Sequence, residues 1–288
     1  MALNEYGKIS RISLRDPKAA FGGQPRINAE WQRLNYHAQP DYESALDEYT
    51  AFVKALNVTD AEVLYLDGAN QLTLDAIYVR DSAIPSPRGL ILANMGKPDR
   101  AAEPATNGAQ LHKQGIDIAG TISGGGRVEG GDFVWLDDQT CAVGEGYRTN
   151  AEGIAQLKAL LGPAVHVEVC PLPHYKGQDD VFHLMSMLSP LDRDLALVYS
   201  PLMPVPFRSW LLEFGLQLVE VPEHEFKSMG CNVLAVSPRQ CVMVEGNPDT
   251  RDALQAVGCT VTCYAGIEIS RKGEGGPTCL TRPLEREN

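Results

Sequence analysis

Read for its alternation of apolar and polar positions, the chain repeats one pattern five times: short apolar strand, glycine-containing loop, amphipathic helix, glycine, second short strand. Residues 140 to 172, "TCAVGEGYRTNAEGIAQLKALLGPAVHVEVCPL", can be laid on residues 240 to 267, "QCVMVEGNPDTRDALQAVGCTVTCYAGI". In the first copy Asn150 is placed to cap a helix whose Ile154, Leu157, Leu160 and Leu161 fall at helical spacing; in the second Asp249 takes the cap before Leu254 and Val257. Two more copies predict a strand over 195–199, a helix near 205–214, Gly215 and a strand over 216–221, then a strand over 89–94, a helix at roughly 101–113, Gly115 and a strand over 116–121. The fifth copy runs from "ISRISLRDP" through "YESALDEYTAFVKAL" to "AEVLYL", with a long insert, "AAFGGQPRINAEWQRLNYHAQ", between its strand and helix. Units of about fifty residues, each too small to bury its own helix face, predict an α/β protein closed into one ring, a single domain over 1–288.

The segments after the second strands carry the chemistry. They read "LTLDAIYVRDSAI", "RVEGGDFVWLDD", "DVFHLMSML", "SMGCNVLAVS" and "GGPTCLTRPL", each a short apolar strand entered through polar or reactive residues. If the units surround a pseudo-fivefold axis, these entrances meet at one mouth and bring together Asp75, Asp81, Glu129, Asp132, His183 and Cys279. A cysteine, a histidine and a carboxylate are the minimum for nucleophilic thiol catalysis, because the thiolate attacks, a base must help form it, and a third group must orient the imidazole. Asp75, Asp81 and Glu129 predict a net-negative mouth suited to a planar guanidinium, whose parallel N–H donors match a carboxylate in a bidentate fork. Arg148, in "GEGYRTNAEG", is placed to receive the carboxylate of an amino-acid substrate.

Composition narrows the partners. The 25 Lys and Arg against 37 Asp and Glu give a formal charge of −12, with the acids scattered, which argues against nucleic acid and anionic membranes. No stretch approaches the roughly 18 apolar residues of a membrane span, and the N-terminus carries charge where a signal peptide needs an apolar run, so a soluble, cytoplasmic protein is expected. Seven cysteines, an odd number without a secretory signal, point to reduced thiols, and none stands in a CxxC. The close pair Cys259 and Cys263 shares one face of a β-like stretch, and core packing is expected for every cysteine except Cys279. No metal-ligand spacing is present.

The motifs "VEGGD", "FHLM", "GYRTNAEG" and a C-terminal "GGPTCLT", in this order and spacing, resemble the guanidino-modifying enzymes of the pentein fold: dimethylarginine dimethylaminohydrolases, arginine deiminases and amidinotransferases. The resemblance extends over nearly the whole chain. It implies a five-bladed α/β propeller of ββαβ-type repeats and attack on the guanidinium carbon through a covalent amidino-thioether, without metal or organic cofactor. By the same resemblance Cys279 is the nucleophile, His183 the general acid/base and Glu129 its carboxylate; Asp81 and Asp132 serve the substrate site, Asp75 holds the substrate's amino end and Arg148 its α-carboxylate.

Three departures bear on the substrate. Arg80 stands where dimethylarginine hydrolases carry an acid; a substrate-binding arginine expected near "LANMGKPDR" has no clear counterpart, with Asn94 and Met95 standing near it and Lys97 or Arg100 the candidates to replace it; and Met185 stands where deiminases and amidinotransferases carry an acid two residues after the histidine. Met185 predicts an apolar wall opposite Asp81 and a preference for an N-methylated arginine, giving citrulline and an alkylamine. The insert at about 21–40 sits where the family has a mobile lid, with Gly22 and Gly23 as hinges, and a static loop packed by Trp31 is the alternative. Deimination of arginine, amidino transfer and a non-catalytic binding role stay open as alternatives, as does a homo-oligomer.

Overall fold

The computed structural model describes residues 2–58, 60–178, 180 and 182–287. The repeat is plain in the sheets, of which there are five with three strands each among the described residues. Four are built alike. In Ala83–Ser86 with Gly89–Leu92, Phe133–Asp137 with Thr140–Glu145, Leu188–Asp192 with Leu195–Val198, and Leu234–Ser237 with Gln240–Val244, a two-residue turn joins an antiparallel hairpin. A helix then crosses over to a third strand, parallel to the second: Glu103–Lys113 to Ile118–Thr121, Ala151–Leu161 to His166–Pro171, Val205–Glu213 to Gln217–Glu220, and Pro248–Ala256 to Thr260–Tyr264. The fifth sheet is completed from both ends of the chain. Lys8–Leu14 pairs in parallel with Glu62–Tyr65 and antiparallel with the last strand, Thr281–Glu287, so the segment after Cys279 closes onto the first unit.

Each crossover helix ends in the same way. Gly115, Gly162, Gly215 and Gly258 follow the four helices with φ between 85° and 100°, the left-handed region that costs glycine least, and Asn57 with φ 48° takes that place after Tyr42–Leu56. Asn150 caps its helix as expected, its side chain accepting from Gly153 N. Asp249 does not cap the last helix: that helix starts at Pro248 after Asn247, and the carboxylate of Glu225 instead accepts from the amides of Asp249 and Thr250, at 2.9 and 2.8 Å. A long-range acid thus does the work the local pattern gave to Asp249.

The strands divide by burial. Ala83–Ser86 is buried at every position, as are Phe133–Leu136 and Leu188–Leu191, whereas the third strand of each sheet is half exposed. The residues entering the fully buried strands are therefore drawn inward with them, and the one-turn helices Val79–Ser82, Gly130–Asp132 and Leu184–Ser186 at these entrances touch in succession. The insert folds as helices Pro17–Phe21 and Gln24–Glu30, with Gly22 and Gly23 between them at positive φ, and Leu34 and Tyr36 beyond them are buried. Among the described residues no helix is long and apolar enough to cross a membrane.

Candidate active site

A narrow cavity opens where these entrances meet, lined by Asp75, Asp81, Arg148, His183 and Cys279, with Lys97, Arg100 and Tyr78 on its wall and Leu34 and Asn35 of the insert over it. Five of the seven residues named from the sequence thus line one cavity, although they are spread over some two hundred positions. Glu129 and Asp132 stand just behind it, both with no exposed surface.

Glu129 is the most heavily coordinated group. Its Oε2 lies 2.7 Å from His183 Nε2 and accepts from Arg148 Nη1 at 3.2 Å, while Oε1 accepts from the amides of Gly96 at 2.8 Å and Lys97 at 3.2 Å. Burial opposes its ionisation, but the bond to His183 and the charges of Arg148 and His183 prevail and hold the carboxyl well below the usual carboxylate range. His183 responds in the opposite sense. Burial pulls its pKa down, yet Asp132, Asp81 and Glu129 surround the ring and raise it to about 9, so the imidazole is protonated at neutral pH. Asp132 receives the amide of Leu184 at 3.0 Å and so fixes the turn that follows His183; burial raises its own pKa to about 6.

Asp81 is held differently. Oδ1 accepts from the amide of Gly131 at 2.8 Å and Oδ2 from Arg100 Nη1 at 2.5 Å. Arg100 is itself clamped by Glu103 through two bonds of 2.8 Å and by the carbonyl of Tyr78 at 2.7 Å. The second glycine of "EGGD" has a steric reason: a Cβ on Gly131 would stand 2.5 Å from His183 Nδ1 and 2.8 Å from Asp81 Oδ1. The two groups approach one another only across a bare backbone.

Cys279 follows a loop whose glycines serve the same end, since a Cβ on Gly275 would meet the ring of Tyr78 at 2.1 Å and one on Gly276 would meet Asn232 at 2.4 Å. The thiol is half-buried and receives Asn232 Nδ2 at 3.5 Å, while Asn232 Oδ1 accepts from Thr278 N and Oγ1. Burial and the nearby charge of Asp81 push the thiol up, and Asn232, Thr278 and Arg80 pull against them without cancelling the effect. Five other cysteines, at 141, 170, 231, 241 and 259, are buried, and Cys263 is half-buried against the core.

Three expectations change. The mouth is not a set of free acids: Asp75 already bonds Lys97 Nζ at 2.6 Å, Asp81 bonds Arg100, and Glu129 bonds His183 and Arg148. Positive side chains that the local pattern left unassigned have been drawn in, because desolvated carboxylates demand partners. Met185 is not on the cavity wall among the described residues; one turn of helix after His183 carries it into the core with Leu184, Met187 and Leu188, so it offers no apolar wall opposite Asp81. Arg80 does not replace the missing acid in the cavity either. It is wholly buried, its Nε donating to the carbonyl of Thr278 at 2.6 Å and its Nη1 meeting Glu5 at 3.2 Å.

Of the candidates around 94–100, Lys97 and Arg100 reach the cavity, and Asn94 instead binds the carbonyl of Gly126 at 2.6 Å. Asn232, the thiol's partner, stands in the entrance segment "SMGCNVLAVS", 47 positions from Cys279, and was not singled out there because an amide side chain suggests no catalytic role by itself. Ligand atoms of Asp81, Glu129 and His183 lie within 4.8 Å of one another, a spacing a cation would tolerate, but they already engage Arg100, Arg148 and backbone amides. The insert is tied down by His37 N to Lys272 O at 2.8 Å, Lys97 Nζ to Leu34 O at 3.0 Å, and the Glu30 carboxylate to Leu74 N at 3.1 Å.

Comparison with known proteins shows which family the chain resembles. The family model described as N,N dimethylarginine dimethylhydrolase, eukaryotic, matches residues 20–286. The N(G),N(G)-dimethylarginine dimethylaminohydrolase of Pseudomonas aeruginosa is 28% identical over 254 residues, covering 84% of this chain and 89% of that one. A solved structure of a cysteine-to-serine mutant of the Pseudomonas aeruginosa enzyme, complexed with citrulline, superimposes with a TM-score of 0.75 at 23% identity, covering 95% of this chain and 98% of that one. The N-terminal domain of ArgZ, an arginine dihydrolase of the cyanobacterial ornithine-ammonia cycle, superimposes with a TM-score of 0.80 at 18% identity over 97% and 98%. The chain belongs to the dimethylarginine dimethylaminohydrolase family of guanidino hydrolases.

Proposed function

We propose that the five sheets are the blades of one propeller about a pseudo-fivefold axis, a single catalytic domain, and that its mouth hydrolyses an N-substituted, most simply N-methylated, arginine to citrulline and an alkylamine. The observation that carries the reading is the His183–Glu129 pair at 2.7 Å facing the same cavity as the Cys279 thiol and Asp81. Family membership and the names of the relatives support the substrate class, which does not rest on Met185.

In this reading the resting enzyme holds a protonated thiol and an imidazolium. A guanidinium bound against Asp81 introduces positive charge beside Cys279, favouring the thiolate that burial and Asp81 disfavour in its absence; the thiol proton leaves to solvent, since His183 is already charged. The thiolate sulfur adds to the guanidinium carbon, and His183 gives its proton to the departing nitrogen as the C–N bond breaks, leaving an amidino-thioether on Cys279. Water, losing a proton to His183, adds to the same carbon; the C–S bond then breaks and releases the ureido product. Glu129 keeps His183 oriented and charged. Arg148 and Lys97 are within the cavity to take the substrate's α-carboxylate, and Asp75 its α-amino group once Lys97 yields. Asp132 acts on the substrate site through the His183 turn. The chemistry needs no cofactor, and the insert over the cavity excludes water during the first step.

A panel of guanidino compounds tests the proposal: arginine, its mono- and dimethylated forms, and simple guanidines without a carboxylate, each assayed for ureido product and released amine. Methylated arginines turned over to citrulline and methylamines are expected. Preference for arginine with release of ammonia would make the protein a deiminase, and ureido-free transfer to an added amine would make it an amidinotransferase.

A further inference from the structure

A second buried cluster of charge lies behind the catalytic groups, along the strands that start there. Ala83–Ser86, Phe133–Asp137 and Thr281–Glu287 begin beside Asp81, Asp132 and Cys279; along them Pro85, Trp135, Arg282, Glu285 and Arg286, with Glu5, line a small, partly open cavity of about 20 Å³. Arg282, Leu284 and Arg286 alternate onto one face of the last strand. Glu285, on the alternate face, is drawn off by Arg11 at 3.5 Å.

Three guanidiniums share one carboxylate here. Arg80, Arg282, Arg286 and Glu5 are 0, 2, 4 and 5% exposed. Glu5 bonds Arg80 Nη1 at 3.2 Å, and Arg286 Nη1 donates to the carbonyls of Gly7 and Ala235 at 2.5 and 2.9 Å. Arg80 Nη2, Arg286 Nη2 and both Nε and Nη2 of Arg282 are buried with no hydrogen-bond partner among the described residues. The cluster therefore combines three guanidiniums, one bonded carboxylate and the more distant charge of Asp81 with four orphaned donors, an arrangement that folded proteins avoid. Burial and mutual repulsion pull Arg282 down to about 9 and Arg286 to about 10, against the attraction of Glu5. Arginine nonetheless keeps its proton in proteins, so the imbalance calls for a counter-charge.

We propose that this cavity binds one monatomic anion of the size of chloride, held by the N–H donors of Arg282 and Arg286 with Arg80 behind them. A space of about 20 Å³ takes a single water-sized occupant, too little for sulfate or phosphate. A water molecule would fill it without offsetting either charge. The site lies behind the catalytic groups, with Arg282 three residues after Cys279 and Arg80 next to Asp81, and its occupant takes no part in the proposed reaction.

The test uses the purified full chain at constant ionic strength, with sodium gluconate replaced stepwise by sodium chloride or bromide. Thermal midpoints should rise saturably by about 2–4 °C in either halide, and the ³⁵Cl resonance should broaden in proportion to protein. In Arg282→Met both responses should fall by at least half, which separates the site from general salt effects. Equal midpoints in halide and gluconate, or an undiminished response in Arg282→Met, would overturn the proposal. Should that variant not fold, crystals of the wild-type protein grown in bromide decide: an anomalous peak between Arg282 and Arg286 supports the site, and a cavity without one overturns it.

Discussion

Asp81 and Glu129 are both buried at the same cavity, yet they are built for different work. Glu129 is saturated: His183, Arg148 and the amides of Gly96 and Lys97 occupy the four or so acceptor positions a carboxylate has. It has nothing left to offer a substrate, and its strongest partner is a side chain that titrates. Asp81 receives one donor on each oxygen, Gly131 N and Arg100 Nη1, so each oxygen keeps an acceptor position, and its charged partner never titrates. Under the proposed mechanism, this distinguishes a carboxylate that orients and charges an acid/base from one that is fixed in place and left able to receive a guanidinium. Counting donors makes the distinction that residue type alone does not.

The largest effect that would sharpen this contrast is on the scaffold of Asp81. Arg100→Ala leaves Asp81 and Glu103 buried without their shared cation and should cost about 3–5 kcal/mol of stability, read from denaturant midpoints. A cost within the range of a surface pair, below about 1 kcal/mol, would mean that Arg100 does not hold Asp81. Next comes Glu129→Gln. Removing the charge behind His183 should lower kcat by about 10²–10³-fold, with KM nearly unchanged. Asp81→Asn should act in the complementary way, mainly on KM, by roughly ten- to a hundredfold for loss of a charged hydrogen bond. If the two variants exchanged these signatures, the roles assigned to the two carboxylates would be reversed.

The smallest effect is on pH dependence. His183 titrates near 9 in the folded protein against roughly 6.5 for an unperturbed histidine. The stability it contributes is therefore complete below about 6.5 and lost as the pH rises through about 9. The general acid is lost over the same upper range, so kcat should hold to about pH 9 and fall above it. In Glu129→Gln that alkaline limb should move down by about one unit or more. An unmoved limb would show that Glu129 does not set the charge of His183.

Much of this was legible along the chain because repeats and glycine motifs are local. The hydrophobic period gave the helices to within about two residues, and the glycines of "EGGD" and "GGPTC" marked places where side chains crowd a bare backbone. What escaped the sequence is what depends on partners. The pairing of Asp75 with Lys97 and of Asp81 with Arg100 is fixed by desolvation, which acts only once distant segments meet. Met185 was misplaced because a single helical turn decides whether a residue after His183 faces the cavity or the core. Asn232 stands in the fourth entrance segment, equivalent to those of Asp81, Asp132, His183 and Cys279, so its position was legible, but its role appears only when it lies against the Cys279 thiol.

The central claim is that Cys279 attacks a guanidinium carbon with His183 as its proton carrier. The most direct measurement is intact and peptide mass spectrometry of the protein quenched during turnover of N-methyl-arginine, for the wild type, for His183→Gly and for Cys279→Ser. The account predicts an amidino adduct on the peptide carrying Cys279, absent from Cys279→Ser and formed far more slowly in His183→Gly, where the departing amine lacks its proton donor, with methylamine released in equal amount when the adduct forms. An adduct on any other residue, or methylamine and citrulline formed at an undiminished rate by Cys279→Ser, would contradict it.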